Sequence, residues 1–182
     1  MNALRKILLL SDAFFLLSGG LLGPIYALYV QKIGGDLLDA SSTFAIFMIT
    51  AGIIVFLLGM WEDKVKHQKK FVIAGYGIGM IGSLGYLFVS STTGLFIVQA
   101  ILGFAVAMKD PAYDALFSTS QKHLALAWGD WEAVDFLAIG IGAFVGGLIA
   151  TNYGFPTLLF CLFLLSCGAF LASLYLLKFK NA

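Results

Sequence analysis

Charge is scarce in this sequence. Asp, Glu, Lys and Arg make up 12% of it, about half of the roughly one-quarter usual in soluble domains, which excludes an ordinary water-soluble globule. Histidine is limited to two residues, His67 and His123, so a metal-spaced His or Cys cluster and a Ser, His and Asp set both lack their members. Cys161 and Cys167 are the two cysteines. Six residues apart on one apolar stretch, they fall on different helical turns, too far apart for a disulfide, and read as packing residues. No Gly-Lys-Ser phosphate loop occurs, and a formal net charge of +1 offers no field for nucleic acid or an acidic partner. The expectation is a protein that is not an enzyme, with no cofactor and no metal.

What the chain has in abundance is apolar length. Sixty per cent of it is hydrophobic and its mean hydropathy is +0.96. About 20 apolar residues cross a hydrocarbon core as helix, so 182 residues hold six spans with short connections. The approximate spans are 7–30, 42–61, 71–89, 94–118, 130–151 and 156–177. A barrel would show short alternating segments, whereas 157–177 is apolar on every face and too long for a strand. Arg5 and Lys6 precede an apolar run as in a signal peptide, but the run is too long and no small-residue cleavage site follows, so it reads as the first span. The fold class expected is an all-α membrane protein, a single six-helix bundle over residues 1–182.

Cation placement orients the bundle. If the spans alternate, Arg5, Lys6, Lys64, Lys66, Lys69, Lys70, Lys122, Lys178 and Lys180 share one side, Lys32 lies opposite and Lys109 is buried. Positive loops stay cytoplasmic, which predicts a multi-pass protein of the inner (plasma) membrane with both termini inside. The external connections, 31–41, 90–93 and 152–155, are short. Ser41 or Ser42 is placed to cap the second helix, Asp130 the fifth, and Pro156 suits the first turn of the sixth.

Pro24-Ile-Tyr26-Ala-Leu-Tyr in span one and Pro111-Ala-Tyr113-Asp-Ala-Leu-Phe in span four are nearly the same string in oppositely directed helices. Such a match is what two inverted three-helix repeats would leave. Gly59-Met-Trp-Glu-Asp63-Lys64, followed by Lys66, His67, Lys69 and Lys70, resembles the cytoplasmic signature of the major facilitator superfamily, G-x-L-A-D-R-x-G-R-K-x-x-L. Gly59, Asp63, Lys64 and Phe71 match it, while Trp61 and Lys66 depart. Gln99-x-x-x-Gly103-x-x-x-Ala107 resembles the fourth-helix pattern with Gln in place of Arg, and Gly142-Ala-Phe-Val-Gly146-Gly147 the fifth-helix pattern with Ala in place of Pro. The resemblance implies one six-helix half of a twelve-helix transporter. The working unit would be a parallel homodimer, or a dimer with a separate second half, moving a small organic solute by alternating access. A matching Asp63 would lock one conformation against a helix N-terminus of the other half, around Gly129 and Asp130; alternatively it is an interfacial carboxylate among lysines.

Charged groups inside spans cost about 2.5–3.5 kcal/mol each on insertion scales and so tend to face protein or a wet cavity. Asp12, Lys109, Asp110, Asp114 and Asp135 all fall in the cytoplasmic half of their spans. Gln99, Gly103, Asp110 and Asp114 share a face of span four. Lys109, off that face, is expected to pair with Asp135 or Asp12, leaving Asp110 and Asp114 toward a cavity. Crowded carboxylates there would exchange a proton, which suits proton-coupled transport. The bland reading is that Asp12 and Asp114 are solvated at the interface and that Lys109 and Asp110 are a structural pair. Tyr26 and Tyr113 line a pathway or pack; Pro24 and Pro111 kink their helices as hinges or as shape. Gly75, Gly79 and Gly82, Gly19 and Gly23, and Gly142 and Gly146 offer close helix approach, read as packing within the bundle rather than a dimer seam, with span five still a candidate seam by family analogy. The cations of the 64–70 loop would also hold anionic lipid headgroups. The competing class is a non-transporting half, truncated or dependent on a partner, with its acidic residues structural.

Overall fold

The computed structural model describes residues 3–62, 67–119 and 123–179, with side chains left aside at 60–62. These residues are helical: α1 Ala3–Leu22, α2 Tyr26–Lys32, α3 Leu37–Glu62, α4 Gln68–Gly85, α5 Thr92–Thr119 and α6 Leu124–Leu174, with 3-10 turns at Gly23–Ile25, Tyr86–Phe88 and Tyr175–Lys178. No strand occurs among them. Among the described residues, five stretches are long and apolar enough to cross a membrane: Ala3–Lys32, Leu37–Gly59, Gln68–Phe88, Thr92–Thr119 and Leu124–Lys178.

The last stretch reverses direction. Gly154 has φ 81° and ψ 171° inside α6, a combination essentially confined to glycine because a Cβ would clash there. Contacts with α1 show the turn. Going from Asp130 to Gly146, the chain runs from Arg5 up to Leu21. Going on from Ser166 to Gly168, it returns from Ser18 to Phe14. Pro156 follows the break, where its missing N–H costs nothing.

Around α1, the two limbs of α6 lie against it, the second limb also meets α4, α4 packs on α5, and α5 on α3. Two core layers result. One, at the end carrying both termini, gathers Leu8, Val72, Tyr76, Tyr113, Phe117, Ala169 and Leu176. The other, at the far end, gathers Leu21, Tyr29, Tyr86, Leu95, Leu158 and Leu162. Between them the hydroxyl of Ser166 sits 2.9 Å from that of Ser18 and 2.7 Å from that of Ser83, tying α1, α4 and the second limb. Outward, α3 and the first limb of α6 present Phe44, Met48, Phe56, Phe136 and Phe144, each at least half exposed. A surface this apolar suits lipid rather than water.

Several local expectations need correction. The second helix starts at Leu37, not at 42, because Asp36 and Asp39 bond reciprocally to each other's backbone N–H at 2.8 and 3.0 Å and form the cap. Ser41 instead donates to the Leu38 carbonyl within the helix. Asp130 is no cap either, since α6 already begins at Leu124; it pairs with Arg5. Pro24 does interrupt the first span, in the 3-10 turn, whereas α5 runs through Pro111 without a break. A Cβ at Gly19 or Gly23 would meet nothing, whereas Gly20 touches Gly142. Gly142 and Gly146 pack on α1 inside the bundle, which is the packing reading of these glycines.

Candidate functional site

Asp12 is fully buried on α1, and its burial is bearable because three neighbouring helices supply donors. Tyr76 on α4 donates its hydroxyl to Oδ1 at 3.0 Å, Lys109 on α5 donates Nζ to the same oxygen at 2.7 Å, and Trp131 on the first limb of α6 donates Nε1 to Oδ2 at 2.7 Å. Tyr76 reaches it because Gly75 presses directly on α5: a Cβ there would lie 2.8 Å from the Ala105 carbonyl. One carboxylate thus joins α1, α4, α5 and α6.

Lys109 is 5% exposed and bridges two acids, Asp12 and, at 2.9 Å, Asp110. Its ammonium also faces the rings of Phe15 at 4.9 Å, and of Tyr76 and Tyr113 at 5.4 Å each. Of the two partners anticipated for Lys109, Asp12 is the one that holds it. Asp110 is the lysine's second partner, the pair the bland reading offered, and its side chain remains 47% exposed. Asp135 is half-buried on the first limb without an ion pair among the described residues. Asp114 is exposed on α5. Tyr113 is 1% exposed, and its hydroxyl has no hydrogen-bond partner among the described residues.

Tyr26 and Gln99 lie elsewhere, at the far end. The Tyr26 hydroxyl is 2.7 Å from that of Thr43, with the buried Gln99 beside it. Gly103, one turn along from Gln99, lets α5 lie against the α3 backbone at Phe47. The predicted residues therefore divide into two polar groups, one in each core layer. Gly59 lies in the last turn of α3, where an added Cβ would meet nothing among the described residues, and Asp63 and Lys64 lie outside the described residues.

Sequence reasoning missed Tyr76, Trp131 and Phe15 around Asp12. The signal for Tyr76 was a hydroxyl-bearing aromatic inside an apolar span, next to Gly75 and one turn from Gly79. It also missed Arg5, 7% exposed, which pairs with Asp130, reaches the Ala127 carbonyl at 3.5 Å and lies 6.0 Å from the Phe117 ring.

Compared with known proteins, the sequence profile described as Major Facilitator Superfamily matches residues 8–181. The chain belongs to the major facilitator superfamily. Two relatives from Methanocaldococcus jannaschii (strain ATCC 43067 / DSM 2661 / JAL-1 / JCM 10045 / NBRC 100440), each named an uncharacterized MFS-type transporter, are 28% identical over 141 residues and 26% identical over 142. Each match covers 76% of this chain and 36% of the relative. This major facilitator chain thus spans little more than a third of the curated relatives it matches. Both relatives are named as transporters, not as enzymes.

Proposed function

We propose that the chain is a half-size secondary transporter that crosses the membrane six times, works as a parallel homodimer by alternating access, and moves a small organic solute together with protons. The observation that carries this reading is Asp12: a carboxylate buried in apolar surroundings, joined to Lys109, and holding four helices through groups that each depend on its charge. Protonating Asp12 weakens all three donor contacts at once, so proton uptake and helix arrangement are linked. The reversal at Gly154 divides α6 into two limbs and supports the count of six. The Pro-x-Tyr segments put Tyr26 in the far layer and Tyr113 in the termini layer, as inverted repeats would. The first and last described segments, near Leu4 and Phe179, and the start of α4 with His67, Lys69 and Lys70 gather at one end, which the positive-inside rule makes cytoplasmic, in the cell's inner (plasma) membrane.

The test is counterflow of labelled solutes in proteoliposomes with an imposed pH gradient, comparing wild type with Asp12→Asn. Solute accumulation driven by the gradient and lost in Asp12→Asn is the expected result. Absence of accumulation in wild type over a broad solute panel would sink the reading. A second reading is favoured by the chain's spanning 36% of its relatives: a half that requires a separate six-helix partner. Recovery of flux only on co-reconstitution with such a partner would select it.

A further inference from the structure

Inside the cluster around Asp12, the side chain of Lys109 sits in a seat that has the features of a ligand site. Three ring faces, Phe15, Tyr76 and Tyr113, surround its ammonium at 4.9–5.4 Å, and a buried carboxylate closes the seat at 2.7 Å. Aromatic faces with a carboxylate are how proteins hold organic ammonium ions. Here the occupant is the protein's own lysine.

That occupant is able to leave. Lys109 already has a second partner, Asp110 at 2.9 Å, on the exposed side of the seat. Its stem is a flexible four-carbon chain, while its Cβ is wedged against Gly75, so the ammonium end is the movable part. Turning toward Asp110 would leave the lysine charge paired and Asp12 open. The wall also carries a second polar group, the buried Tyr113 hydroxyl, beside the Trp131 indole. Asp12, Asp110 and Lys109 sum to one negative charge, which disfavours an anionic visitor.

We propose that the Lys109 seat is an organic-ammonium site, and that the solute is a small organic cation whose ammonium replaces Lys109 on Asp12 while Lys109 pairs with Asp110. The substrate class rests on the transporter reading; the site does not. Its test is thermal unfolding of Lys109→Ala in nanodiscs with methyl-, propyl- or hexylammonium chloride, against equal sodium chloride. Propylammonium supplies the carbons and nitrogen that alanine lacks, so it should raise the midpoint most, by about 5 °C or more at saturation. Asp12→Asn/Lys109→Ala should show no such rise. If Lys109→Ala is not recovered folded, purification with propylammonium should recover it. A cooperative melt insensitive to amine, or no recovery with amine, overturns the site. Proteoliposomes of wild type separate the two claims. Amine rescue without any solute flux keeps the site and removes the transporter. Flux of a neutral or anionic solute without rescue keeps the transporter and removes the ammonium class.

Discussion

At the scale of residues, the Asp12–Lys109 pair has an asymmetric energetic role. Two charges with side chains 0% and 6% exposed are costly to desolvate, and their attraction does little more than offset that. Removing Lys109 is different, because it strands the buried Asp12, whereas Lys109 keeps Asp110 when Asp12 is removed. Lys109→Met is expected to destabilise the protein by about 3–5 kcal/mol, read by unfolding in mixed micelles, and adding Asp12→Asn should return most of the loss. Equal losses in the single and double variants would show that the pair is not coupled. Trp131→Phe keeps an aromatic ring but loses part of the indole and one bond to a charged acceptor, so a loss of at least about 1.5–3 kcal/mol is expected in the same assay.

At the scale of elements, glycines decide where helices touch. A Cβ at Gly142 would lie 2.8 Å from the Leu17 carbonyl and 3.0 Å from Gly20 Cα, both backbone atoms that move only if α1 and α6 separate. Gly142→Ala should therefore cost about 1–3 kcal/mol. Gly140, one residue pair away, faces open space, so Gly140→Ala should stabilise by up to about 1 kcal/mol through helix propensity. Matching effects at the two sites, measured by thermal melts, would refute this account of the α1–α6 contact. Gly154 is a turn requirement rather than a packing one: at φ 81° and ψ 171°, alanine should cost about 1–3 kcal/mol.

At the scale of the molecule, the broad apolar faces of α3 and of the first limb of α6 place the protein in a bilayer. The predicted orientation has a direct check. Cysteines introduced at Ser91 and at His67, in a background lacking Cys161 and Cys167, should react with a membrane-impermeant maleimide from outside and inside respectively. The opposite pattern would invert the topology. The mass of the particle in nanodiscs, less its lipid and belt protein, should correspond to two chains if the homodimer is right.

Hydropathy and charge alone were enough to show a helical membrane protein, because in a bilayer every backbone polar group must be bonded within its own segment and length in apolar residues becomes a count of helices. The family was legible from short signatures such as Gly59 to Lys64 and Gly142 to Gly147. That Asp12, Lys109 and Asp110 would find partners inside the bundle was also foreseeable, since uncompensated charge in a span demands them. Which partners it has was not. Lys109 had two acids within reach by height, and only the rotation of α1, α5 and α6 about their axes selects Asp12. Tyr76 and Trp131 looked like ordinary packing residues until packing aimed them. The caps at Asp36 and Asp39 and the Arg5–Asp130 pair escaped for the same reason: a hydrogen bond depends on direction within a fraction of an ångström, and periodicity in a sequence carries which face a residue is on, not what stands across from it.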